Sequence, residues 1–167
     1  CLKRMIWGNV QTIPQSVSLW LPVAIDMVKM NMEADLTARG TMNPALLYGS
    51  LGLVEAAARH ESQRSLLLES GVADALEYTC LNDFQFLGLS LSAIAAGGAV
   101  ALLGRNEGGK TLSREAVFAV LESVAKCFQV GSFQYERPMP YVTSNFARVV
   151  TMCISDANKR AMVQYDG

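Results

Sequence analysis

The residues best suited to chemistry lie between Gly104 and Thr111, Gly-Arg-Asn-Glu-Gly-Gly-Lys-Thr, which fits the pattern G-x-x-x-x-G-K-T. In a phosphate-binding loop of that kind Gly104 and Gly109 would let backbone N–H groups surround phosphates. Lys110 would reach the terminal ones and Thr111 would hold Mg²⁺. The pattern requires a strand before it and a helix after it. Ser113 is a good helix N-cap. Val100-Ala-Leu-Leu103 is the candidate strand, but its surroundings are rich in Ala and Gly and poor in β-branched residues. The further strands of a doubly wound sheet are missing, and Asp156 is the one candidate for a metal-holding acid after an apolar run. Nucleotide binding through Gly104, Gly109, Lys110 and Thr111 is therefore the alternative reading.

Other chemistry is thinly provided. His60 is the only histidine, so no Ser/His/Asp set exists; it reads as a solvated group near a helix end. Glu55, Asp74 and Glu77 have no pocket argument for acid–base work. The four cysteines, Cys1, Cys80, Cys127 and Cys153, form no C-x-x-C and have no histidine beside them, so metal-ligand spacing is absent and reduced core thiols are expected. Reduced thiols point to an intracellular, cytoplasmic setting. The expectation is a non-enzymatic protein with no cofactor and no metal.

The chain has 167 residues, 51% of them apolar and 17% charged, with a formal net charge of −1. That is enough length for a real core. Its charge gives no electrostatic case for nucleic acid. So few charges cover little surface, which implies apolar surface met by a partner. The chain opens on Cys1 and is expected to be a piece of a longer protein, with no basic-then-apolar signal segment to read.

The elements that must position these residues are helical. Pro14 and Pro22 are each expected to open a helix, with Val23, Met27, Met30 and Leu36 on one face and Arg39-Gly40 at its end. Asn43-Pro44 starts another, with Leu46, Leu47, Leu51, Val54 and Ala58 marking one face through about Arg59. Ser113 starts a third, with Val117, Val120, Leu121, Val124 and Phe128 inward and Glu115 in its first turn. Residues 131–141 read as a loop. Thr143 or Ser144 caps a last helix carrying Phe146, Val149, Val150, Cys153 and Ile154, ending at Ser155-Asp156. Phe84 to Gly104 holds no charged residue and is long enough for a membrane span of ~20 residues. Its polar residues, its four glycines and the lack of an aromatic belt favour instead two buried helices meeting at Gly97-Gly98.

Two stretches then match each other. Arg64-Ser-Leu-Leu-Leu-Glu-Ser-Gly71 leads into Val72-Ala-Asp-Ala-Leu76, and Arg160-Ala-Met-Val-Gln-Tyr-Asp-Gly167 is a looser copy. With Ala116 as the intermediate mark, the period is roughly 45–50 residues, close to that of HEAT and armadillo arrays. Leu53-Val-Glu-Ala-Ala57, Glu61-Ser-Gln-Arg64, the Gly71 stretch and Val149 to Gly167 together resemble armadillo repeats. The resemblance implies an all-α fold: a right-handed α-solenoid of three-helix units, approximately 1–42, 43–83, 84–130 and a partial 141–167, continuing past Gly167. It also implies a concave groove lined by third helices that binds a protein or extended peptide. If the helices after Gly71 and Ala116 are the third helices, Asp74, Tyr78, Ser123 and Lys126 face that groove. The Trp and Asn ladder of importin-like arrays is missing, and so is a strongly basic groove.

Overall fold

The structure of the protein is a computed structural model that describes residues 15–34, 43–82, 91–105, 110–134 and 140–165. All of its regular structure is helical, and no strand occurs among the described residues. The helices are α1 (Gln15–Ala34), α2 (Pro44–Ala58), α3 (Glu61–Glu69), α4 (Val72–Leu81), α5 (Leu91–Leu103), α6 (Arg114–Gln134), α7 (Pro140–Met152) and α8 (Asp156–Val163).

Local chemistry sets several of the boundaries. Asn43 is extended, and its Oδ1 accepts from the Ala45 N–H at 2.9 Å, while Pro44 opens α2 without a wasted donor. Gly71 sits between α3 and α4 with φ +71°, in the left-handed region where a Cβ is unfavourable. Ser113 Oγ accepts from the Ala116 N–H at the start of α6, and Ser155 Oγ does so from Asn158 at the start of α8. His60 occupies the N-cap position of α3 without a side-chain cap bond.

The helices pack in two rows around α5. In one row α5 lies between α2 and α7; in the other α4 lies between α1 and α6. The rows meet through α1 with α2, α4 with α5 and α6 with α7, while α3 packs on α2, α4 and α5 and α8 on α6. One continuous core results, running from Leu21, Ile25 and Val28 through Leu51, Val54, Leu67 and Leu76 to Val100, Leu103, Val117 and Met152. Every residue of α5 from Ala93 to Leu103 is buried.

Several expectations are corrected. Pro22 is inside α1, not at a helix start. The buried face of α1 is Leu21, Ala24, Ile25 and Val28, and Val23 and Met30 point outward; apolar residues on both sides of α1 hid its phase. Gly97 and Gly98 lie within one helix, because each makes room for a neighbour. A Cβ on Gly97 would stand 2.7 Å from Val120 Cγ2, and one on Gly98 would stand 3.0 Å from Arg148 Cγ. Val100 to Leu103 is helix, not strand. The last long helix begins at Pro140, ahead of Thr143 and Ser144. Among the described residues no helix is long and apolar enough to cross a membrane; Phe84 to Ser90, Leu36, Arg39, Gly40 and Gly167 lie outside the described residues.

Candidate interaction surface

Helix α7 buries polar side chains and leaves large apolar ones outside. Asn145, Arg148 and Met152, spaced three and four residues apart, form its inner side, with Asn145 and Arg148 each 1% exposed. Phe146 and Val150, spaced four apart on one stripe, lie outside at 59% and 54% exposure, and Ile154, in the turn after α7, is 46% exposed. Of the apolar residues expected on this helix, Val149 packs, partly buried, against Ile94 and Val124, while Phe146 and Val150 are left outside and polar Asn145 and Arg148 are buried.

A partner on α2 draws the polar stripe inward. Arg148 Nη2 donates to Glu55 Oε2 at 2.7 Å, and its Nε lies 3.0 and 3.1 Å from Oε1 and Oε2. Nη1 donates to Asn145 Oδ1 at 3.0 Å, and Arg59 Nη2 reaches Glu55 Oε1 at 3.3 Å. Burial works against the Arg148 charge, but the hydrogen bonds and charge of Glu55, with a contribution from Tyr48, outweigh it and hold the guanidinium above its ordinary range. A planar guanidinium suits this two-oxygen contact, which a lysine would not reproduce. Gly98 of α5 is the seat of the pair: a Cβ there would also come within 3.4 Å of Glu55 Oε1. The pair thus joins the two helices that flank α5, over a position in that helix that carries no side chain.

A second charged cluster lies in the other row. Lys110 Nζ pairs with Asp74 and, at 2.9 Å, with Glu77 Oε2, both on α4. Glu77 Oε1 accepts from the Ser113 N–H at 3.0 Å, which ties α4 to the start of α6. Burial alone would push the Glu77 carboxyl up; the hydrogen bonds from Ser113 and Lys110 overcome it and hold the pKa below the usual value. Lys110 is raised: the bonds from Asp74 and Glu77 outweigh its partial burial. Lys110 is therefore engaged with two carboxylates, and Gly104 has a packing reason of its own. A Cβ there would stand 2.9 Å from the Lys110 carbonyl oxygen. Thr111 is exposed, and Gly109 lies outside the described residues.

The four groove residues separate. Asp74 is exposed and paired with Lys110, and Tyr78 is half-buried on the same helix. Lys126 is exposed and pairs with Glu122 at 3.1 Å. Ser123 is buried and donates from its hydroxyl to the Ala119 carbonyl at 2.8 Å, so its expected outward placement is corrected. Val72, Ala75, Leu76 and Thr79 form the buried side of the helix that carries Asp74 and Tyr78.

Sequence reading passed over Arg148 and gave Glu55 no partner. The available signal was the carboxylate inside the apolar run Leu53 to Ala58, which requires a buried cation or a turn to solvent. Among the described residues no group of three or more His, Cys, Asp and Glu is arranged to hold a metal. Cys80 is buried with its Sγ near the Ala93 carbonyl at 3.6 Å, and burial pushes its thiol up, far from reactive. Compared with protein-family models, curated proteins and solved structures, the chain matches none.

Proposed function

We propose that this protein is a non-enzymatic interaction scaffold of the armadillo-like solenoid type, and that it binds a protein partner through the outer face of α7. The two-row packing around α5 supports the solenoid, since stacked units bury faces that no unit covers alone. If α3-α4-α5 is taken as a unit, two helices of 9 and 10 residues followed by one of 13, the third helices are α2, α5 and α7. Asp74, Tyr78 and Lys126 then sit on second helices. A groove along the α2–α5–α7 row has no exposed side chain between Ala93 and Leu103 to offer, which moves the proposed contact to the end of the row.

The observation that carries the reading is the inverted α7, with Phe146, Val150 and Ile154 outside and Arg148 within. A buried ion pair fixes which way the helix faces, so the apolar stripe stays outward, and a large exposed apolar stripe marks a contact site. Nucleotide binding lacks comparable support: the segment before Gly104 is helical and Lys110 is held by Asp74 and Glu77. A photo-crosslinking amino acid at Val150, in cells expressing the chain, should give a discrete protein adduct, whereas the same group at exposed Glu69 on α3 should give none. Equal labelling from both positions, or none from Val150, would remove the reading.

A further inference from the structure

Helices α5 and α7 are held in place by different forces. Ala95, Ala96, Ala99, Val100 and Leu102 of α5 all belong to the main core. Of the described side chains of α7, Met152 alone enters that core, and Val149 is partly buried in a smaller cluster with Ile94 and Val124. The rest of its inner side is Asn145 and Arg148. Arg148 meets Glu55 there, and the buried Asn145 Nδ2 has no hydrogen-bond partner among the described residues. An apolar side chain loses its stabilisation when its helix leaves the core. An ion pair and an unpaired amide behave differently: docking takes all three groups out of water, and undocking returns them to it. The cost of burying the two charges largely offsets their attraction, so the pair adds little to how tightly α7 docks. It still fixes the facing, because a docked α7 with Arg148 turned outward would leave Glu55 buried with only the contact from Arg59.

From this we infer that α7 is a two-state element, which undocks from α5 and α6 as a unit while α1 to α6 stay folded. In the docked state Arg148 lies on Glu55 over Gly98. In the undocked state both ions are hydrated, and Arg59 stays beside Glu55 on α2. Segments with few buried apolar contacts open at a free energy well below that of the whole fold. An undocked α7 presents Asn145 and Arg148 as well as its apolar stripe, so a ligand that touches this inner side selects the undocked state. The inference concerns how α7 is held and is independent of what its outer face binds.

Native-state hydrogen exchange of the 167-residue chain, over urea concentrations below the unfolding transition, tests it. Wild-type amides from Asn145 to Met152 should share one opening free energy, with protection about a hundredfold below that of Ala93 to Leu103 and a shallower dependence on urea. In Arg148→Ala, where docking strands Glu55, α7 should lose nearly all its protection while α5 keeps measurable protection and circular dichroism stays largely helical. Glu55→Leu/Arg148→Met should bring α7 protection back to within about tenfold of wild type, since neither apolar side chain needs a charged partner. Equal protection and equal urea dependence of wild-type α7 and α5 would overturn the proposal, because α7 would then open only with the whole chain. Protection that rises residue by residue from Pro140 without urea dependence would overturn it too, as the mark of a helix that frays rather than undocks. An Arg148→Ala chain that loses α5 and α7 protection together, or does not fold, contradicts it as well, and so does a double variant as unprotected at α7 as Arg148→Ala. The wild-type comparison decides without any variant, and none of these outcomes bears on the crosslink at Val150.

Discussion

Two charged clusters hold distant parts of this chain together, and they live in different surroundings. Glu55 and Arg148 meet at 2.7 Å with both side chains essentially free of solvent. Lys110 meets Asp74 and Glu77 at an edge, where Asp74 is mostly exposed and Lys110 keeps about a third of its surface. In the first case neither ion has water to fall back on, so each depends on the other. In the second the solvent stands ready to replace either partner. The buried pair decides which side of α7 faces in; the edge cluster only trims how α4 meets the start of α6.

Removing one member of each cluster is the sharpest way to break that comparison. Arg148→Ala leaves buried Glu55 with only the longer contact from half-exposed Arg59 at 3.3 Å, and a loss toward the lower end of about 3–5 kcal/mol is expected in urea unfolding. Replacing both by apolar residues, Glu55→Leu with Arg148→Met, should recover most of it, since the cost lies in the unpaired charge rather than in the missing bridge. A double variant as unstable as Arg148→Ala would mean that the pair itself is indispensable.

Gly98→Ala probes the seat of the pair. Alanine's helix propensity returns ~0.5–1 kcal/mol relative to glycine, but a Cβ 3.0 Å from Arg148 Cγ overpacks the site, and overpacking costs ~1–3 kcal/mol. A net loss of about 1 kcal/mol is expected, persisting in the Glu55→Leu/Arg148→Met background, where methionine keeps a Cγ, and vanishing with Arg148→Ala, which removes it. A loss that persists with Arg148→Ala would place the pressure elsewhere than on the Arg148 stem.

Lys110→Ala should cost no more than ~1 kcal/mol, and less in high salt, as for partly exposed pairs generally. Acid sharpens the point. Glu77 has a folded pKa below the ordinary glutamate value of 4.5, so its stabilisation is present above that value and fades as pH falls through the folded one. Lys110→Ala should reduce this acid-side loss, measured as unfolding midpoint against pH between neutrality and acid. An unchanged acid limb would put the shift on Ser113 alone.

These differences explain how far the sequence could be read. Asn43-Pro44, Ser113, Ser155 and Gly71 mark helix boundaries through chemistry within three residues, and the structure places caps and the left-handed glycine there. Facing was harder. In α1 and α7 apolar residues occur on both sides, so periodicity alone admits two phases. What chose between them in α7 is a carboxylate 93 residues away in sequence, beyond any local window. Gly97 and Gly98 looked like a break because glycine weakens a helix; only the positions of Val120 and Arg148 show what their missing side chains make room for. The G-x-x-x-x-G-K-T match was formally correct, but its Lys110 is held by two acids and Gly104 has a packing role.

The account stands or falls on α7 having its polar stripe in and its apolar stripe out. Urea unfolding of Phe146→Glu tests it most directly. An exposed phenylalanine should tolerate the charge, with stability within ~0.5 kcal/mol of wild type. A fall of about 3 kcal/mol or more, the mark of a charge forced into a core, would show that Phe146 is buried and that α7 faces the other way.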